Sequence, residues 1–162
     1  MDAARARATE AMMPVSRTMT AIVARTLAEM ERDITVPQLR VLVLLNSRGP
    51  MNLSALAEHL DVNPSNASRT CDQLVNEGLA VRRTDEADRR NVVLELTKQG
   101  SRLVADLMTQ RRRLIDGVVS RMSVTDQKAL ARGLEAFSAA VEAAPPEESI
   151  GLPDGRLIPW LL

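Results

Sequence analysis

Aromatic residues are nearly missing from this chain: Phe137, Trp160 and no tyrosine among 162 residues. The core must therefore be filled by leucine, valine, alanine and eight methionines, residues that mostly favour helices. A single cysteine, Cys71, excludes an internal disulfide framework. A single histidine, His59, leaves too few soft ligands for a dedicated zinc site, so no metal and no cofactor are expected. No stretch approaches the roughly 20 apolar residues needed to span a bilayer. The N-terminal Met1-Asp2-Ala3-Ala4-Arg5-Ala6-Arg7 leads into no apolar signal core, so the expected location is the cytoplasm, away from membranes. Glycine-rich phosphate loops and paired carboxylates in an apolar setting are also lacking, which argues against an enzyme. Nor is there an excess of either charge: 21 basic residues balance 21 acidic ones. Bulk charge therefore gives no support to nucleic-acid binding, and any such role must rest on where the basic groups cluster.

What is present is a chain 45% hydrophobic and 26% charged, the balance of a globular protein long enough to bury a core without staples. Met12, Val15, Met19, Ile22, Val23, Leu27 and Met30 recur at steps of three and four, which predicts a first helix over 12–30. Pro14 suits a first turn or a kink, and 3–13 reads as a frayed extra turn. Thr35-Val36-Pro37-Gln38 has the form of a capping box before a second helix, 37–47. That helix is apolar nearly all round at Val41-Leu42-Val43-Leu44-Leu45, as a buried helix should be, and ends at Gly49-Pro50.

Asn52 can cap a short helix over 53–60. After the turn Asp61-Val62-Asn63, Asn63 caps and Pro64 opens a helix running to about residue 77, stopped by Gly78. Two helices joined by a short turn form a helix-turn-helix. The period then changes. Leu79-Ala80-Val81-Arg82-Arg83-Thr84 and Asn91-Val92-Val93-Leu94-Glu95-Leu96-Thr97 flank a charged stretch, which predicts a β-hairpin with a polar tip, a wing. A long helix follows over 98–121. A last helix behind the cap Ser123-Val124-Thr125-Asp126 carries Leu130, Leu134, Phe137 and Val141 and runs to 144, where Pro145-Pro146 stops it. The fold class is mainly α with a small β-wing.

This order of elements resembles the MarR family of winged helix-turn-helix regulators, and three stretches carry the resemblance. Thr35-Val36-Pro37-Gln38-Leu39-Arg40-Val41-Leu42 looks like the family's entry to its second helix. Asn63-Pro64-Ser65-Asn66-Ala67-Ser68-Arg69 through Leu74, with Glu77-Gly78-Leu79, looks like its recognition helix. Arg82-Arg83-Thr84-Asp85-Glu86-Ala87-Asp88-Arg89-Arg90 followed by Val92-Val93-Leu94-Glu95-Leu96-Thr97-Lys98-Gln99-Gly100 is similar to its wing signature almost position by position. The resemblance implies a DNA-binding transcriptional regulator. It implies a homodimer that binds a pseudo-palindromic operator as a repressor, and release by a small-molecule effector. It divides the chain into an N-terminal dimerisation helix (1–34), the DNA-reading module (35–100), C-terminal dimerisation helices (101–144) and a tail (145–162).

Recognition helices place their N-terminal residues at base edges, so Ser65, Asn66, Ser68 and Arg69 are the candidates there, with Ala67, Cys71, Leu74 and Val75 facing inward. Arg69 can bond a guanine and Asn66 an adenine; the bland alternative is a solvated polar turn. At the wing, the resemblance puts Arg90 in the minor groove, where narrow A·T tracts attract its charge, with Asp88 orienting it and Arg89 on phosphate. The competing reading is an ordinary solvated hairpin tip. Ser54 either donates to phosphate beside a helix N-terminus or serves only the first turn. His59 reads as a surface or packing residue. Cys71 reads as a small hydrophobe, with thiol-based redox sensing as the alternative function the family allows. A winged module that binds protein instead of DNA is the remaining rival. Ile158, Trp160 and Leu161 of the tail are expected to dock on the dimer surface. No residue marks the effector pocket.

Overall fold

The computed structural model describes residues 2–30, 33–84 and 92–143. The first helix, α1 (Ala3–Ala28), starts at the cap Asp2, whose side chain accepts from the Ala4 N–H. It runs uninterrupted through Pro14, so the expected start near residue 12 is corrected: 3–13 is the first half of the helix and not a frayed turn. Proline removes one backbone donor. The segment before it is rich in alanine (Ala3, Ala4, Ala6, Ala8, Ala11), the residue that favours helix most, and it carries the helix past the gap.

Helix α2 (Val36–Arg48) begins at the anticipated capping box. The Thr35 N–H donates to Gln38 Oε1 at 2.8 Å while Gln38 N–H donates to Thr35 Oγ1 at 3.4 Å. Its five consecutive apolar residues Val41 to Leu45 are all buried, Leu42 completely. The next elements are β1 (Met51–Asn52), α3 (Leu53–Leu60), α4 (Pro64–Asn76), β2 (Ala80–Thr84), β3 (Val92–Leu96), α5 (Lys98–Val119) and α6 (Val124–Glu142). The two-residue β1 was not foreseen from the sequence, being too short to show alternation. It lies against β3, with Met51 opposite Leu94, giving a three-stranded antiparallel sheet in the order β1-β3-β2. In the hairpin Ala80 pairs with Leu96 and Thr84 with Val92.

One core joins these elements. Leu42 of α2, Leu56 of α3, Leu74 of α4, Leu79 and Leu94 beside and within the sheet, and Val104 of α5 are buried together. Arg40 ties α2 to the end of α3 by donating to the Leu60 carbonyl at 2.6 Å. No helix among the described residues is long and apolar enough to cross a membrane.

The start of α5 is locked onto the end of α4. Gly78 adopts φ 72°, a conformation L side chains rarely take, and closes α4. Thr97 then donates its hydroxyl to the Gly78 carbonyl at 2.7 Å and its N–H to the Leu79 carbonyl at 3.1 Å, while its oxygen caps α5 by accepting from Gly100. At Gly100 an added Cβ would lie 2.0 Å from the Leu79 carbonyl oxygen, whereas at Gly117 in the same helix nothing lies within 4 Å. Substitution by alanine should therefore have opposite effects. Gly117→Ala should stabilise by roughly 0.5–1 kcal/mol through helix propensity, and Gly100→Ala should destabilise by about 1–3 kcal/mol or more through backbone displacement. Urea denaturation of the two variants checks the sign of each; equal shifts would refute the close approach.

Candidate nucleic-acid interface

The helix-turn-helix is set by side-chain caps at both of its helices. Asn52 Oδ1 accepts from the Ala55 N–H at 2.8 Å to start α3, and Asn63 Oδ1 accepts from the Ser65 N–H at 2.9 Å to start α4 behind Pro64. Between them Asp61 takes the left-handed conformation, φ 50°, which turns the chain. Helix α4 is then fixed about its axis by a buried stripe, Ala67, Cys71 and Leu74, all at most 2% exposed.

At about 3.6 residues per turn, Ser65 and Arg69 stand opposite that stripe, and both are exposed. Asn66, also exposed, lies on one flank; Ser68 lies on the other and is half-buried, as is Val75. The structure thus brings Ser65, Asn66 and Arg69 onto one open polar face, with Ser68 at its margin. Ser54 is exposed in the first turn of α3. His59 is half-buried, its Nδ1 2.9 Å from the Ala55 carbonyl of its own helix, the place of a packing residue. Asp88, Arg89 and Arg90 lie outside the described residues, as does the tail with Ile158, Trp160 and Leu161. What is described is the pair of strands, β2 and β3, that leads to the wing tip.

Two polar pairings and one exposed amide of this region were missed from the sequence. Arg82 of β2 reaches across to α4 and donates to Asp72 at 2.6 Å, each side chain about half exposed. Gln38 donates to Glu77 at 2.8 Å from the start of α2. Gln73 sits one turn beyond Arg69 on the open face. A helical step of four from Arg69 would have found Gln73; no sequence signal pairs Arg82 with Asp72, because the register of the hairpin decides it.

A second feature lies between the end of α1 and α5: a groove of about 340 Å³, lined by Glu29, Met30, Leu79, Arg102, Asp106 and Gln110 among others. Glu29 joins the two helices, accepting from Arg25 Nε at 2.6 Å and from the Gln110 amide. Those hydrogen bonds, Arg25's first, hold the Glu29 carboxyl below its usual range.

Cys71 is sealed within the inward stripe, and burial pushes its thiol up to about 11, outweighing the opposing pull of Arg82. A thiol of that kind is inert near neutral pH, since the thiolate is the reactive form. Alkylation by iodoacetamide at pH 7.5 should run on the order of a hundredfold slower in the native protein than in the denatured chain. Comparable rates would restore Cys71 as a sensor.

Comparison with known proteins agrees with this architecture. The family model for the MarR family matches residues 34–92, from the end of the first linker to the start of β3. YfiV, an HTH-type transcriptional regulator of Bacillus subtilis (strain 168), is 31% identical over 118 residues, covering 73% of this chain and 74% of its own. The crystal structure of RV1404 from Mycobacterium tuberculosis superposes with a TM-score of 0.75 at 38% identity, covering 82% of this chain and 90% of that one. FabT of Streptococcus pneumoniae, solved in complex with DNA, shares the fold at 21% identity with a TM-score of 0.67, covering 85% and 97%. With its helix-turn-helix, hairpin and long flanking helices in the same order, the chain belongs to the MarR family: it is a transcriptional regulator with a DNA-binding winged helix, not an enzyme.

Proposed function

We propose that the protein is a cytoplasmic repressor that binds a pseudo-palindromic operator as a homodimer and is released by a small-molecule effector. The observation that carries the DNA-reading part is the open polar face of α4, where the buried stripe turns Ser65 and Arg69 outward with Asn66 on their flank. These residues enter the major groove, Ser68 supports them from the margin, and Ser54 donates to phosphate at the N-terminus of α3. The wing follows the family resemblance: Arg90 in the minor groove, Asp88 orienting it, Arg89 on the backbone. The FabT structure, in complex with DNA, supports duplex DNA as the partner.

Dimerisation is supported by what the terminal helices leave uncovered. Helix α6 buries only Val141, while Val124, Leu130, Leu134 and Phe137 remain 37–65% exposed along it. Met13 and Val15 of α1 and Val118 of α5 add to this apolar surface. So much apolar surface on three helices marks an interaction face, and a second copy that covers it would set two recognition helices a fixed distance apart. The groove between α1 and α5 is the natural place for the effector: it is concave, mixes apolar walls with carboxylate, guanidinium and amide groups, and touches Leu79 at the exit of the recognition helix. The thiol-based alternative through Cys71 loses support from that residue's burial.

Genomic fragments captured by the purified protein test this reading. On a captured fragment, Arg90→Ala should weaken binding to all sequences by about 1–3 kcal/mol, because a minor-groove arginine reads groove width. Arg69→Ala should instead relax preference at one base pair in each half-site by a similar amount. Unchanged affinity in both variants would refute it.

A further inference from the structure

The face of α4 does not end with Arg69. Gln73 is the next residue on the same line, exposed, and its side-chain amide forms no hydrogen bond among the described residues. It lies about 6 Å further along the axis, close to two base-pair steps at about 3.4 Å each. Its amide offers a donor and an acceptor together, the pairing that fits the N6 and N7 edge of adenine.

Next to it, at the margin of that face on the side of Ser68, stands the half-buried Asp72. A free carboxylate there would repel the phosphates on either side of the groove and hold this turn away from DNA. Arg82 prevents that: its guanidinium, brought by β2, sits 2.6 Å from the Asp72 carboxylate. The other carboxylate at this end of the helix, Glu77, receives a hydrogen bond from Gln38 of α2. Each acidic group of the second half of α4 is therefore engaged by a donor from a neighbouring element, and the amide between them is left open.

We propose, building on the DNA-reading function above, that Gln73 is a second base-reading residue that selects adenine about two base pairs from the one read by Arg69. In the same scheme Arg82 is a positioning residue that keeps the second half of α4 approachable by masking Asp72. Arg82 acts through Asp72 and not by holding a phosphate itself.

The test measures dissociation constants on a duplex selected from a random pool by the intact protein, and on its single-base variants. If the wild type selects no duplex, the DNA-reading function itself fails. Given selection, Gln73→Ala should lose roughly tenfold on the selected duplex. It should equal the wild type on duplexes changed at one base pair per half-site. Arg82→Ala should weaken binding to every duplex, and adding Asp72→Asn should recover most of that loss. Thermal melting of each variant confirms the fold; Gln73 is exposed, so its truncation leaves the core intact. A uniform or absent effect of Gln73→Ala would overturn its role. Failure of Asp72→Asn to rescue Arg82→Ala, with the salt dependence reduced by about one phosphate, would overturn that of Arg82.

Discussion

The structure depends on a contact that only glycine permits, where the first turn of α5 rests on the backbone of Leu79. A side chain at residue 100 would meet the Leu79 carbonyl oxygen at 2.0 Å. Thr97 closes the same junction with hydrogen bonds to the carbonyls of both Gly78 and Leu79. Since Gly78 also ends α4, the recognition helix and the long helix share one short piece of backbone. A displacement of the first turn of α5 would therefore bear directly on the backbone that closes α4. The groove lined by Leu79 and by α5 residues lies against this junction. An occupant there would sit beside Leu79, where the end of α4 meets the start of α5.

Charge is arranged by the same economy. With no net charge to draw it to DNA, the chain works by local placement. Asp72 and Glu77, the acidic residues at the back half of the recognition helix, are engaged by Arg82 and Gln38. The front half presents Ser65, Asn66 and Arg69 without a carboxylate among them. A neutral protein can approach a polyanion if its acidic groups are neutralised where the duplex lies and left free elsewhere.

Much of this was legible because the local signals agree with the fold. Asn52, Asn63, Thr35 and Ser123 all cap the helices their positions suggested, and α3 occupies 53–60 as read from its leucines. The hairpin appears where the period changes from helical to alternating. Other features were hidden for physical reasons. Pro14 looked like a boundary because proline costs a hydrogen bond, yet the alanines before it sustain the helix. Strand β1 has only two residues and exists because β3 offers it an edge. Ser68 sits at the margin of the reading face because the stripe of Ala67, Cys71 and Leu74 sets the rotation of the helix. The Asp72–Arg82 pair joins a helix to a strand, and only the packed structure brings them together.

Two copies held by their uncovered terminal helices would present two α4 helices related by a two-fold axis, which ties the oligomer to the DNA it reads. Hydroxyl-radical footprinting on a captured operator tests that connection most directly. The expected pattern is two equal protected patches related by a dyad, with centres about one helical turn of 10–10.5 base pairs apart, or a multiple of it. A single asymmetric patch would contradict the account.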